Sequence, residues 1–262
     1  MEYTFISGAT GGIGKAFCIS CAKRGYNLFI TGRSKDKLQA LKDELVKDYN
    51  IAVDFFPCDL SDSEDRAKMF SYIEKNARYF DRIINVAGVD TQKAFSLYTR
   101  EKVLFQINVN SVATLDITHF LLKRRKKELE IITISSMSGV SPMPYFAIYS
   151  ATKDMLTNFF TALHYELKKD GVKITSVLPA GVPTRPDIIE EIKSQGFFGK
   201  ISCKSPEYIA EKSLNKVKKN KLIFVPGFVN KVLYCLMKIA PKKLVLRYIA
   251  RRWKSHSKDA FI

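Results

Sequence analysis

The 262-residue chain predicts an α/β fold, a doubly wound parallel sheet of about seven strands with helices on both faces, followed by a basic helical C-terminal extension. Three observations predict it. Short β-branched runs alternate with longer amphipathic ones from residue 3 to residue 225, a glycine cluster directly follows the first run, and Lys and Arg accumulate toward the C-terminus. Such alternation means right-handed βαβ units, whose crossover helices cover both faces of a parallel sheet.

In chain order, Tyr3–Ser7, Asn27–Thr31, Ile51–Pro57, Arg82–Asn85, Glu130–Ser135, Val172–Leu178 and Lys221–Val225 read as strands. Lys35–Asp48 and Ser63–Tyr79 read as helices. The second opens Ser61-Asp62-Ser63-Glu64, capping residues and acids suited to a helix start. Residues 185–205 have no clear strand, contain Gly196-Phe197-Phe198-Gly199, and are expected to form a lid or substrate loop. No repeat, low-complexity tract or linker divides residues 1–226, which are expected to be one domain, with 227–262 as the extension.

Composition narrows the class. A hydrophobic fraction of 46% and a charged fraction of 26% are ordinary for a soluble globular protein. No basic-then-apolar leader opens the chain and no spanning helix is expected, so the expected location is cytoplasmic. Five cysteines without framework spacing suit free thiols in a reducing compartment. Cys18 and Cys21 form a C-x-x-C, but mid-helix, where core thiols are expected rather than a redox pair. Three scattered histidines exclude a His-rich metal site, and no metal is expected.

The first chemical signal is Ser7-Gly8-Ala9-Thr10-Gly11-Gly12-Ile13-Gly14, after a strand and opening a helix. Glycines there permit a tight turn, close approach of backbone to a pyrophosphate, and close helix–sheet packing. The helix N-terminus adds free N–H groups and positive dipole. A dinucleotide-binding, Rossmann-like fold is therefore expected, with Gly8, Thr10, Gly11, Gly12, Ile13 and Gly14 against the phosphates. After the second strand, Thr31-Gly32-Arg33-Ser34 offers an arginine where an acid would accept the ribose hydroxyls of NAD. No acid lies between Ile30 and Lys35, so Arg33 and Ser34, with Lys15 or Lys35 as extra charge, point to the 2′-phosphate of NADP(H). Tyr149-Ser150-Ala151-Thr152-Lys153 puts a phenol and an ammonium on one helical face, where the cation would favour the phenolate. The same spacing occurs at Tyr98/Lys102, Tyr165/Lys169, Tyr208/Lys212 and Tyr234/Lys238, so spacing alone does not choose.

Together these motifs resemble the short-chain dehydrogenase/reductase superfamily, in its compact single-domain branch. That branch carries a serine thirteen residues before the active tyrosine. Only Tyr149 has one, Ser136 in Ile134-Ser135-Ser136-Met137; the other four positions are Asn85, Thr152, Gln195 and Lys221. Asp59 in Cys58-Asp59-Leu60 resembles the family's adenine-contacting residue. Asn85-Val86-Ala87-Gly88 resembles its N-N-A-G, and Pro179-Ala180-Gly181-Val182-Pro183-Thr184 its P-G-x-V-x-T beside the nicotinamide. Val86 and Ala180 depart from the pattern, at positions that carry no proton. The resemblance covers roughly residues 3 to 225 and implies hydride transfer between NADP(H) and a carbonyl or alcohol. Tyr149 would be the acid, Ser136 would hold the oxygen, and Lys153 would hold the ribose. Asn110, chosen over Asn108, would hold a water that returns the proton through Lys153. A catalytically silent cofactor-binding sensor or scaffold is the rival reading.

The net charge of +17 is uneven. Residues 212–262 hold fourteen Lys or Arg and one acid, so they carry 14 − 1 = +13, leaving 17 − 13 = +4 for the other 211 residues. No aromatic–basic stacking platform or known module accompanies this charge, so nucleic acid is not an expected partner. Val229, Val232, Leu233 and Leu236 recur at helical spacing, as do Leu246, Ile249, Ala250 and Trp253 after Pro241. Two basic amphipathic helices suit an anionic membrane surface, with peripheral contact through residues 227–258, or a hydrophobic partner. Their apolar faces equally suit capping of the domain core or a subunit interface. A homo-oligomer acting on a small carbonyl or alcohol, of lipid-like 3-ketoacyl or steroid type, is expected.

Overall fold

The computed structural model describes residues 1–254 except Lys126 and Gln195, and without the side chains of Glu191, Phe197, Phe198 and Arg252. Residues 255–262, the end of the expected extension and of the expected membrane contact, lie outside the described residues. The strands are β1 (Glu2–Ser7), β2 (Leu28–Gly32), β3 (Val53–Pro57), β4 (Tyr79–Asn85), β5 (Leu129–Ile134), β6 (Val172–Val177) and β7 (Ile223–Phe224). They form one parallel sheet in the order β3-β2-β1-β4-β5-β6-β7. The order reverses between β1 and β4, and a crevice opens there beyond the C-terminal strand ends.

Period-two alternation explains why both faces are buried. Phe5, Phe29, Ile83 and Ile131 enter one core, and their chain neighbours Ile6, Ile30, Ile84 and Ile132 enter the other. Helices α1 (Gly12–Ala22), α2 (Lys35–Asp48) and α9 (Pro206–Lys218) cover the second face with Phe17, Leu38, Leu45 and Leu214. Helices α3 (Ser63–Lys75), α4 (Arg100–Ile107), α5 (Ala113–Leu122) and α6 (Ala147–Glu166) lie between β3 and β6 in the chain. Of these, α3, α5 and α6 cover the first face with Met69, Ile73, Ile117, Leu121, Leu156 and Phe160. Cys18 and Cys21 are buried in the core as free thiols, and burial pushes the Cys21 thiol up to about 12.

Capping follows the sequence at α3, where the Asp62 side chain accepts from the Glu64 N–H at 2.9 Å. The helix stops earlier than expected, at Lys75, and β4 begins at Tyr79 rather than Arg82. Asn76 Nδ2 donates back to Tyr72 O at 2.8 Å, and Ala77 takes a left-handed φ of 45°, which ends the helix. Phe80 then pairs beside Tyr3 in the sheet and packs edge-on to Phe5 and Phe29.

Residues 185–205 are mostly helical, as α7 (Pro186–Ser194) and α8 (Gly196–Ser202). The C-terminal segment folds into α10 (Phe228–Ile239) and α11 (Lys242–Trp253). Tyr234 and Met237 seat α10 on the small cluster of Met137, Leu178 and Val225. Asn230 is buried and donates both amide hydrogens, to Ser202 O and to Pro226 O, each at 2.7 Å.

One buried ion pair crosses the sheet. Arg82 on β4 binds Glu130 on β5 at 2.8 Å, donates to Thr4 Oγ1 on β1 at 3.0 Å, and stacks 4.2 Å over the Tyr26 ring. Removing Glu130 leaves the buried Arg82 charge with only Asp81, 3.8 Å away, to offset it, whereas removing both partners removes that charge. Glu130→Ala should therefore lower the urea-unfolding free energy by about 3–5 kcal/mol, and Arg82→Met/Glu130→Leu by clearly less. Equal losses in the single and double variants would show that the pair's charge is not what is stabilised.

Candidate active site

The crevice at the strand-order reversal holds a cavity of about 290 Å³. Its floor is the turn from β1 into α1, where Gly8 takes a φ of +64°. A Cβ there would stand 2.9 Å from the Ala87 Cα, and a Cβ on Gly14 would collide with the Gly8 carbonyl. Across the crevice, a Cβ on Gly12 would lie 2.8 Å from the Thr184 side chain. These glycines keep the loops after β1, β4 and β6 in contact while leaving α1's first N–H groups facing the cavity. Gly8, Thr10, Gly11, Gly12, Ile13 and Gly14 all line it.

Arg33 lines the far end and is exposed, at the end of β2. Ser34 is not on the cavity wall; it caps α2, accepting from Lys37 N at 3.3 Å. Asp59 and Leu60 line the cavity after β3, the Asp59 carboxylate oriented by the Ser61 N–H and hydroxyl at 2.9 and 2.7 Å. Ala87 and Gly88 line it after β4. Asn85 does not; its amide is buried in the sheet and donates to Thr118 and Thr133 hydroxyls at 3.2 and 3.4 Å. The glycine cradle, the helix N-terminus and a cation at the far end fit a phosphorylated dinucleotide.

A second cavity, of about 440 Å³, adjoins the first and shares Ile13, Gly88, Thr184 and Arg185 with it. Ser136, Tyr149 and Lys153 all line it, as do Pro179, Gly181 and Val182. Ser136 lies two residues past the end of β5, and its hydroxyl accepts from Ser138 N at 3.0 Å. Tyr149 and Lys153 sit one turn apart near the start of α6. The Tyr149 ring stacks on Phe146, with centroids 4.5 Å apart. Lys153 Nζ donates to Ile134 O at 2.9 Å and lies 5.7 Å from the Tyr149 ring centre.

Asn110 lies behind this wall. A π-helical turn, Asn108–Val112, interrupts the run from α4 to α5 and sets Asn110 inward. Its Oδ1 accepts from Val89 N at 2.7 Å, and its Nδ2 donates to Val89 O and Thr152 Oγ1 at 3.0 and 3.1 Å. A Cβ on Gly88 would stand 3.1 Å from Lys153 Nζ and 3.5 Å from Asn110 Oδ1, so both groups flank the same glycine. Asn108 instead faces Ser61, donating to its carbonyl at 3.4 Å.

Burial governs the protonation of the reactive pair. It pushes the Tyr149 phenol well up, and the Asp90 charge adds to this. A hydrogen bond with Ser136 and the Arg185 charge pull it partly back. Burial pushes the Lys153 ammonium down to about 8, opposed by Asp90. Burial, not the neighbouring Lys153, is thus the largest influence on the Tyr149 phenol. A phenol kept protonated at neutral pH is placed to donate a proton.

Several lining residues carry no signal in the sequence. Val89, Phe105 and Val109 line the first cavity, and Asp90, Met143, Ile188 and Ile192 the second. Arg185 binds Asp90 at 3.1 Å and Asp187 at 3.1 and 3.2 Å, joining the loop after β4 to the start of α7. Asp90 lies 95 residues from Arg185, so only the fold brings this ion pair together.

Comparison with known proteins places this arrangement. The profile of the short chain dehydrogenase family matches residues 2–193. The chain belongs to the short chain dehydrogenase family. Mouse very-long-chain 3-oxoacyl-CoA reductase is 31% identical to this short chain dehydrogenase over 202 residues, covering 70% of this chain and 60% of the reductase. Human inactive hydroxysteroid dehydrogenase-like protein 1 is 31% identical over 191 residues, covering 70% of this chain and 56% of that protein. The chain therefore spans less than two thirds of the length of these curated relatives. A solved 7beta-hydroxysteroid dehydrogenase superposes with a TM-score of 0.84 at 25% identity, covering 95% of this chain and 96% of its own.

The depressed Lys153 ammonium has a sign that can be measured. Below about pH 8 the folded protein bears the full cost of a buried charge; between 8 and 10.5 the folded lysine loses its proton while the unfolded one keeps it. Lys153→Met should therefore raise the thermal midpoint at pH 7, and that gain should shrink as pH climbs from 8 toward 10.5. No gain at pH 7 would show that Lys153 is well solvated.

Proposed function

We propose that this short chain dehydrogenase is an NADP(H)-dependent oxidoreductase that interconverts a carbonyl and a secondary alcohol. One observation carries the reading: Ser136, Tyr149 and Lys153 converge on a cavity that opens directly onto the glycine-lined crevice. Bound in that crevice, NADP(H) supplies or accepts the hydride. Gly8, Gly12, Gly14 and the α1 N-terminus hold its phosphates, and Arg33 its 2′-phosphate. Asp59 and Leu60 would hold its adenine, and Thr184 and Val182 its nicotinamide. Tyr149 donates its proton to the substrate oxygen, and Ser136 stabilises that oxygen as charge develops. Lys153 holds the ribose, and Asn110, wedged against Gly88, orients the route by which the proton is replaced.

The cavity's apolar walls support a lipid-like substrate of 3-ketoacyl or steroid type. Met137, Met143, Phe146, Ile188, Ile192 and Leu233 line it. The names of the mouse reductase and the 7beta-hydroxysteroid dehydrogenase point the same way. The same reading makes the protein a cytoplasmic homo-oligomer, with residues 227–258 in peripheral contact with a membrane; no helix among the described residues is long and apolar enough to cross one. The second reading is a catalytically silent NADP(H)-binding sensor or scaffold, favoured by likeness to a human relative named inactive. The presence of Tyr149, Lys153 and Ser136 around one cavity argues against it.

Tyr149→Phe should retain NADPH binding, followed by fluorescence, while turnover on a panel of 3-ketoacyl and steroid ketones falls about 10²–10⁴-fold. Tyr165→Phe and Tyr208→Phe, from sites with the same Tyr–Lys spacing, should keep full activity. A Tyr149→Phe variant with most of its kcat would overturn the mechanism, and a wild-type protein that binds NADPH without turnover would establish the silent reading.

Cofactor choice is tested separately. Arg33→Asp should raise the Kd for NADPH and spare or improve NADH, since a phosphate-pairing cation becomes a ribose-accepting anion. An unchanged NADPH/NADH preference would move 2′-phosphate recognition to another cation, with Lys15 next.

A further inference from the structure

Helices α10 and α11 have two different faces. The inner face turns toward the substrate cavity, where Leu233, Met237, Ile249 and Trp253 form wall. The outer face of α10 is an apolar stripe of Phe228, Val232, Leu236 and Ile239, at i, i+4, i+8 and i+11, with exposures of 80, 44, 51 and 78%. Sequence periodicity groups Leu233 with Val232 and Leu236; the fold sets Leu233, 39% exposed, at the border between stripe and cavity wall and brings Phe228 and Ile239 into the stripe. On α11, Leu244 and Tyr248 are exposed at 60 and 65%. Tyr248 also lines the cavity, which puts the cavity mouth at the edge of this outer surface.

Charge distinguishes what this surface fits. Exposed Lys231 and Lys238 flank the apolar stripe, and exposed Lys243, Arg247 and Arg251 share the outer side of α11 with Leu244 and Tyr248. No Asp or Glu occurs between residues 227 and 254. A second copy of the chain docked symmetrically here would oppose the same cations, with no acid to pair them. An anionic lipid surface supplies both missing partners, phosphate charge for the basic rim and acyl chain for the stripe. Twelve-residue helices are about 18 Å long, too short for a hydrocarbon core of about 30 Å, so they fit the interfacial plane rather than a span.

We propose that α10 and α11 dock this protein on an anionic bilayer through their outer faces, holding the mouth of the substrate cavity at the lipid surface. Access to a substrate dissolved in the bilayer then needs no passage through water, a role that rests on the lipid-like substrate read above. Docking itself is measured without turnover.

The experiment is co-sedimentation of the full chain with phosphatidylglycerol or phosphatidylcholine vesicles. With phosphatidylglycerol, the bound fraction should be high at about 0.01 M salt and fall roughly tenfold at about 1 M, where the Debye length shrinks from about 30 to about 3 Å. Lys231→Glu/Lys238→Glu/Arg247→Glu/Arg251→Glu should stay in the supernatant at low salt, and Leu236→Gln/Ile239→Gln should bind at least several-fold less. Neither variant touches the cavity wall, so turnover of a water-soluble ketone should match wild type and certify the fold. Tyr149→Phe should sediment like wild type, which separates failure of docking from failure of the catalytic reading. Wild type that stays in solution at low salt, or a charge variant that binds as well as wild type, overturns the proposal. So does a concentration-dependent dimer that dissociates on Leu236→Gln/Ile239→Gln, because the stripe would then be a subunit interface.

Discussion

A Cβ on Gly14 would fall on the carbonyl of Gly8, so β1 can turn into α1 only where no side chain stands. That closure brings the first turn of α1 to the point where strand order reverses between β1 and β4. Two more contacts depend on it. The loop after β4 rests on Gly8 through Ala87, and the loop after β6 rests on Gly12 through Thr184. Ser7 reinforces the first, its hydroxyl accepting from Val86 N and Ala87 N at 3.1 and 3.2 Å. Three chain segments far apart in sequence therefore meet over one crevice, and the groups that flank Gly88 are held against them.

The chemistry of the site follows from dryness as much as from placement. The apolar walls of the cavity also strip water from Tyr149 and Lys153. Both groups then favour their neutral forms more than they would in solution, the phenol keeping its proton and the ammonium giving one up more readily. Asp90 adds to the upward shift on Tyr149, and Arg185 pulls against it. Their ion pair closes the cavity beside the cleft, so a structural clasp also sets local potential.

The sheet was legible because each strand declares itself locally, in short apolar runs broken by caps and turns. The glycine turn was legible for the same reason, since its three constraints fall within seven residues. Boundaries were less so. Nothing around Tyr79 distinguishes a helix end from a strand start until Phe80 finds Phe5 and Phe29, which are distant in sequence. Of the site, the residues that fall in local motifs could be read, whereas Asp90 and Arg185 could not, because their meeting depends on the whole topology. Asn110 owes its inward position to a π-helical turn, which ordinary helical periodicity does not describe. Spacing likewise reveals that Lys153 is near Tyr149 but not how much water burial removes from either group.

The side chain of Asn230 bonds Ser202, the last residue of α8, and Pro226, two residues before α10, with its two amide hydrogens. Two cavity walls that are separate in sequence are thereby riveted through a single amide. Since Gly227 between them has a φ of 92°, a backbone setting most side chains resist, the link begins from a sharply bent corner. The walls are consequently tied at one point, so displacing either one strains the bonds that hold the other.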